Sequence, residues 1–378
     1  MKNTHRCTLT ITGLALLICN HAGAVLTPPQ LTTNIVNAAQ GDVISLAGIN
    51  PLYCPDVTMS QTWQAGGELI FSDSPESPTS RGILYEDGTQ PGNVTNRIFA
   101  YHVNNQSSGN LRFSVLIENL GSSYGTLQVQ QSGNAGPSTS FGYVGKLAFD
   151  RWLTSSQGTA MSVAPGQTVR LDTNFDSIQV SPGNLLHGIW DYSFTQPHKV
   201  IICAINPSDN PVTLWPSLSV LPRDVHERGT YAACNKIYDT AATFDTTNGI
   251  ELYPIGDDDL DTPTTGNDYA VTPPTAETHD DPSGILYRTH LTLASSDGRS
   301  LAILINPRGG SWGGAVYAQS GILPGGKFLV PSGSGLTSDD TKGTVEGDYS
   351  TPSGTVFMQF MPTGGANFPV DIMLVPHP

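Results

Sequence analysis

Val200-Ile201-Ile202-Cys203-Ala204-Ile205, closed by Asn206-Pro207, sets the reading of the whole chain. Six consecutive apolar residues bounded by turn formers fall short of a helix and match a buried strand, where a free cysteine behaves as a small hydrophobe. Comparable runs recur outward from it, at 111–120, 169–173, 301–306, 356–361 and 370–375, separated by Gly, Pro, Asn and Asp. One segment differs: over 143–154, Val144, Leu147, Ala148 and Trp152 fall near helical spacing. The expected fold class is all-β, with one short helix in the first half.

Short stretches recur, and they organise the chain. Gly82-Ile83-Leu84-Tyr85 returns as Gly284-Ile285-Leu286-Tyr287, and Val115-Leu116-Ile117-Glu118-Asn119 resembles Leu301-Ala302-Ile303-Leu304-Ile305-Asn306. Leu218-Ser219-Val220-Leu221-Pro222 matches Ile372-Met373-Leu374-Val375-Pro376 near the end. Repetition of this kind points to a duplicated unit. The expected organisation is a leader over 1–24, a β-sandwich domain over 25–222 and a second, related β-sandwich domain over 223–378.

Composition bounds the function. Only 13% of the 378 residues are charged, against about 25% in ordinary globular proteins. Solubility must then come from uncharged polar residues, a habit of secreted β-proteins. The 17 basic residues are scattered and the net charge is −15, which argues against nucleic acid as a partner. Thirty aromatic residues and a normal apolar content argue against disorder.

The N-terminus reads as an address. Lys2 and Arg6 precede an apolar stretch over 9–19, and Ala22-Gly23-Ala24 supplies the small-x-small pattern for cleavage before Val25. No later run reaches the 18 apolar residues of a membrane span. Cleavage removes Lys2 and Arg6, so 15 basic residues remain against 32 acidic ones and the mature net charge is −17. Cys54, Cys203 and Cys234 remain; three is odd and no C-x-x-C spacing occurs, so neither a disulfide framework nor a zinc site is indicated. If one bridge forms, Cys54 with Cys234 is the expected pair.

Acidic residues make the sharpest local anomaly. Residues 237–287 hold eleven Asp or Glu and no Lys or Arg. Within them Asp257, Asp259 and Asp261 alternate, and Asp268 falls at the twelfth position counted from Asp257. Alternating loop carboxylates closed by a further acid are how an EF-type loop wraps calcium, so these four are the candidate calcium ligands. Thr262 replaces the glycine of that pattern and no helices flank it, which favours a solvated acidic loop with Asp and Pro turns.

Catalytic motifs are weaker. Gly309-Gly310-Ser311-Trp312-Gly313 matches G-x-S-x-G, but an apolar strand pattern follows where the nucleophile elbow needs a helix, and only His377 comes later. A Gly-rich β-turn is the expected structure. No histidine pair shows H-x-H or H-x-x-x-H spacing. Trp63, Trp190, Trp215 and Trp312 are of a type that stacks on sugars, although in a sandwich tryptophan more often fills core.

Several of these stretches carry a family resemblance. Leu69-Ile70-Phe71-Ser72-Asp73-Ser74-Pro75-Glu76 with 82–87, Ala135-Gly136-Pro137-Ser138 with Tyr143-Val144-Gly145-Lys146, Arg228-Gly229-Thr230-Tyr231, and Ile305-Asn306-Pro307-Arg308-Gly309-Gly310 resemble secreted bacterial proteins labelled copper amine oxidase-like. The resemblance implies export and brings no established activity. The oxidase itself would need Asn-Tyr-Asp/Glu for its quinone and His-x-His for copper; neither occurs, and amine oxidation is rejected.

The sequence therefore leads to an exported, non-catalytic binding or structural protein of the cell surface or extracellular matrix, whose partner is polysaccharide or an envelope protein. Calcium is the one cofactor suggested. The alternative is a secreted carbohydrate-active hydrolase, which would show two carboxylates facing across a cleft. A third reading, a subunit polymerising by strand exchange, would leave 26–36 as an unpaired segment.

Overall fold

The computed structural model describes residues 24–378 except 58, 64–66, 257–263, 281, 309, 321–325 and 338. An N-terminal arm carries α1 (Pro29–Val36), β1 (Val43–Ser45) and β2 (Met59–Trp63). The first strand series is β3 (Leu69–Ser72), β4 (Gly82–Glu86), β5 (Val94–Val103), β6 (Arg112–Asn119), β7 (Gly125–Ser138), β8 (Met161–Val163), β9 (Thr168–Arg170), β10 (Leu185–Phe194) and β11 (His198–Ile205). Helix α2 (Phe141–Thr154) follows β7, α3 (Thr173–Ser177) follows β9 and α4 (Pro211–Leu214) follows β11. A connecting arm then holds β12 (Arg228–Tyr231). The second series is β13 (Asn235–Thr240), β14 (Phe244–Asp245), β15 (Glu251–Ile255), the hairpin β16 (Thr264–Asp268) and β17 (Thr275–His279), β18 (Leu286–Ala294), β19 (Ser300–Asn306), β20 (Gly314–Ser320), β21 (Gly326–Val330), β22 (Lys342–Tyr349), β23 (Gly354–Pro362) and β24 (Val370–His377).

The fold is all-β, and among the described residues four α-helices, three of them of eight residues or fewer, stand where a single helix was expected. Two sheets of the first series are ordered β3-β5-β10-β7-β8 and β4-β11-β6-β9. The second series gives β13-β18-β23-β20-β21 and β15-β24-β19-β22. Strand for strand these orders are the same, including the parallel first pair, β3 with β5 and β13 with β18. Each series is thus a jelly roll, two packed and mainly antiparallel sheets joined by Greek-key connections. Of the three sequence matches, only 115–119 with 301–306 falls on equivalent strands, β6 and β19. Gly82-Ile83-Leu84-Tyr85 forms β4, whereas Gly284-Ile285-Leu286-Tyr287 leads into β18, the counterpart of β5.

Strand pairing crosses the expected division at 222/223 in both directions. The arm before the first roll packs on the second: Asp56 bridges Leu252, β2 pairs with β13, and β1 pairs with β22. The arm before the second roll packs on the first: Val220 bridges Ile83 and β12 pairs with β3, extending its sheet to β16 and β17. The two arms run antiparallel, from Met59 opposite Thr240 and Trp63 opposite Lys236 to Leu69 opposite Tyr231 and Ser72 opposite Arg228. Each roll is completed by the strand that leads into the other. Segment 26–36 is correspondingly not a free strand: α1 buries Leu31 and Ile35 with Ile44 and Leu46 against Ala302, Leu304, Val345, Met373 and Val375.

One apolar cluster fills the second roll and continues into the seam between the rolls, where Phe71, Phe99, Tyr101 and Ile189 meet Leu286, Ala315, Met361 and α2. A separate cluster fills the first roll around Trp190, Tyr192 and Phe194. Helix α2 presents Val144, Ala148 and Trp152 one turn apart to this seam, and Gly133 lets it lie flat on β7, since a Cβ there would sit 2.0 Å from the Ala148 carbonyl oxygen.

Two cations of the first roll are spent on carbonyls of the second. Arg97, on β5, makes a two-pronged pair with Asp191 (Nε–Oδ1 2.8 Å, Nη2–Oδ2 3.0 Å) and donates from Nη1 to the carbonyls of Cys234 (2.9 Å) and Gly284 (3.1 Å). Its guanidinium lies 4.9 Å from the Trp152 ring centroid. Lys146, buried on α2, donates to the carbonyls of Pro331 (2.9 Å), Gly333 (2.8 Å) and Gly335 (2.6 Å). These bonds satisfy buried groups of both rolls at once.

Candidate functional site

The two rolls differ most between their second and third strands. In the first, residues 87–93 link β4 to β5; in the second, the corresponding link carries the hairpin β16–β17. These two connections meet and enclose a cleft of about 180 Å³, lined by Glu68, Gly88, Thr89, Gln90, Pro91, Thr230, Ala232, Thr265, Gly266, Asn267 and Tyr269. Gly88 lets the Tyr269 ring lie close, since a Cβ there would stand 3.1 Å from it and push the ring by a few tenths of an ångström. The lining is one acid, amides, hydroxyls and one aromatic ring; among the described residues no Lys or Arg contributes to it.

A chain of amides fixes how the cleft presents itself. Asn96 Oδ1 accepts the Glu68 N–H (3.1 Å), which leaves Asn96 Nδ2 to donate to Gln90 Oε1 (3.1 Å). Gln90 therefore turns its own NH₂ toward the carboxyls of Glu68 and Asp87. Behind Asn96 the Tyr192 hydroxyl bonds His198 Nε2 (2.9 Å), and His198 Nδ1 bonds the Gln196 carbonyl (3.0 Å). Backbone bonds zip the loop to β11, Gln90 N–H to the His198 carbonyl at 2.7 Å and the reverse at 3.1 Å. Tyr85, bonded to Thr230 Oγ1 at 2.8 Å, braces the cleft wall from within.

Asp87 is 2% exposed; its Oδ1 accepts the Val200 N–H (2.7 Å), and Oδ2 makes no hydrogen bond. Burial pushes the Asp87 carboxyl well above the ordinary carboxylate range, the Val200 amide, Gln90 and Lys199 offset part of this, and Glu68 adds to it. Burial likewise raises Glu68, with Gln90 opposing. Two acids that share one amide and lack a cation in contact hold protons more tightly than free carboxylates do.

The acids flagged in the sequence take other places. Asp257, Asp259 and Asp261 lie outside the described residues. Asp268 is buried on β16, where Oδ2 accepts from Arg228 Nε (3.0 Å) and Oδ1 from the Ala270 N–H (2.9 Å). Arg228 also donates to the carbonyls of Leu84 (3.1 Å), Leu221 (3.0 Å) and Ser74 (3.3 Å), so this pair ties the connecting arm to the first roll. It floors a second, more apolar cleft of about 590 Å³ between 220–223 and 270–275. Among the described residues no group of three His, Cys, Asp or Glu is arranged to hold a metal ion.

Ser311 leads into β20 rather than a helix, as a β-turn requires. Ser74, Asp224 and His226 do meet, but Ser74 Oγ (3.0 Å) and His226 Nδ1 (3.1 Å) both bond Asp224 Oδ1. With the acid in the middle, no imidazole is placed to take the serine proton. Trp190 and Trp312 are core, Trp215 half-covers the outer face of the first roll, and the Trp63 side chain lies outside the described residues. Cys54, Cys203 and Cys234 are all free and buried, each in a different apolar cluster, which corrects the expected Cys54–Cys234 bridge. Among the described residues no helix is long and apolar enough to cross a membrane.

His187, in the seam, is 1% exposed, edge-on to Phe99 and Tyr101 at 4.4 and 5.2 Å between centroids, with neither ring nitrogen hydrogen-bonded. Burial and His102 push it down to about 3. The unfolded chain binds a proton near pH 6.5 that the folded state refuses, so the stability His187 gives is complete above pH 6.5 and is lost as pH falls toward 3. Between pH 5.5 and 4, urea denaturation of the native protein is expected to lose about 1.4 kcal/mol per pH unit more than His187→Leu. Parallel pH profiles would refute the neutral, buried imidazole.

No family model matches this chain, and no curated protein matches it. Among solved structures, the CUB1-EGF-CUB2 domain of human MASP-1/3 is similar at 11% identity, covering 85% of this chain and 100% of that one, with a TM-score of 0.17, too low to support an argument.

Proposed function

We propose that this is an exported, non-catalytic binding protein of the cell surface or extracellular matrix, and that it engages polysaccharide at the cleft between residues 88–91 and the β16–β17 hairpin. The lining carries the reading: Thr89, Thr265 and Asn267, exposed or half-buried, offer hydroxyls and an amide to an array of sugar hydroxyls, and Tyr269 offers a ring face. Jelly rolls recur in lectin domains, an analogy of architecture only. The leader at 1–24 and the resemblance to secreted bacterial proteins support export.

The Glu68 and Asp87 pair favours a second reading, a carbohydrate-active hydrolase, since glycosidases work with two carboxyls of which one is held protonated. Asp87 argues against it, because at 2% exposure it has no access to a sugar ring. Retention of the exported protein on insoluble polysaccharide fractions without release of reducing sugar is the expected result. Sugar release would favour the hydrolase, and no retention on any fraction would count against both.

A further inference from the structure

Resting on the glycan reading above, we infer that the cleft selects sugars bearing a free amine, an un-acetylated hexosamine being the simplest, and seats the ammonium against Glu68. Glu68, half-buried, is the one charged side chain among the described residues that line the cleft, with Thr89, Thr265 and Asn267 lining it too. Among those residues no Lys or Arg stands against it, and Gln90, a neutral amide, only opposes in part what burial does to the Glu68 carboxyl. An ammonium supplies the missing positive charge and three donors, enough for Glu68 and for the hydroxyl or carbonyl oxygens of Thr89 and Asn267. An acetamide supplies one neutral donor. A uronate or phosphate would set a second negative charge against the Glu68 carboxylate. Charge and donor count thus rank amine over neutral over anionic glycans.

The test is calorimetric titration of the exported protein with a glucosamine oligosaccharide and with its N-acetylated counterpart, at pH 7 and 0.15 M salt. The amine form is expected to bind about ten-fold tighter or more, the range of a charge-assisted hydrogen bond. Glu68→Gln is expected to bring the two affinities within about two-fold while the N-acetylated affinity holds. Glu118→Gln, on β6 in a different sheet, is expected to keep the preference and controls for general attraction to an acidic protein. Equal binding of the two sugars, a preference that survives Glu68→Gln, or one equally lost in Glu118→Gln would overturn the inference while leaving the glycan reading in place. Binding of neither sugar, nor of any neutral oligosaccharide, would overturn both.

Discussion

Arg97→Ala is expected to cost about 3–5 kcal/mol of stability, the range for removing one member of a buried ion pair. The loss exceeds that of a surface salt bridge because of what stays behind. Asp191 keeps its charge with 15% of its side chain exposed, and the carbonyls of Cys234 and Gly284 lose the donor that crosses the seam. The Trp152 ring loses the guanidinium packed on it. Arg97→Lys is expected to recover little, since one ammonium cannot span both Asp191 oxygens and two carbonyls in the planar geometry a guanidinium offers. Denaturant unfolding of the three proteins checks this. A loss below about 1 kcal/mol for Arg97→Ala would mean that the seam does not depend on this residue.

Separating the chain at 222/223 is expected to leave neither half folded, and co-expression of the halves is expected to restore a soluble complex. The second roll alone would lack α1, β1 and β2. Leu31, Ile35, Ile44 and Leu46, all buried, pack on the four-stranded sheet β15-β24-β19-β22 that the second roll would keep. At about 1.5–3 kcal/mol per buried aliphatic side chain, these four are worth about 6–12 kcal/mol, comparable to the whole stability of a typical domain. The first roll alone would lose β12 beside β3, and with it the Arg228–Asp268 pair. Cooperative unfolding of isolated 223–378, seen by circular dichroism, would contradict the reciprocal exchange of arms.

Local structure was legible because it is written in local pattern. The run at 200–205 lies within β11, 301–306 within β19, and the helical spacing over 143–154 lies within α2. The exchange of arms was hidden because pairing partners such as Leu69 and Tyr231 are distant in sequence, and a strand's own pattern says that it is buried, not which roll it joins. The match of Gly82-Ile83-Leu84-Tyr85 with Gly284-Ile285-Leu286-Tyr287 shows the same limit, since short apolar segments share composition without sharing position. The cleft was hidden for a related reason. Glu68, Asp87, Gln90 and Asn96 have no spacing that marks a site, and only folding turns their side chains toward one another. The acidic stretch 237–287 contains the hairpin that forms one wall of the cleft, but Asp268 within it serves an ion pair with Arg228.

Glycan binding at this cleft is tested by affinity electrophoresis of the native protein through gels containing neutral or amine-bearing polysaccharide, alongside Tyr269→Ala and Asn267→Ala. Both residues line the cleft and are only half-buried, so the variants are expected to fold as the native protein does. The native protein is expected to be retarded, and each variant to lose most of that retardation. Retardation equal in all three would place any glycan site elsewhere, and none in any gel would contradict glycan binding itself.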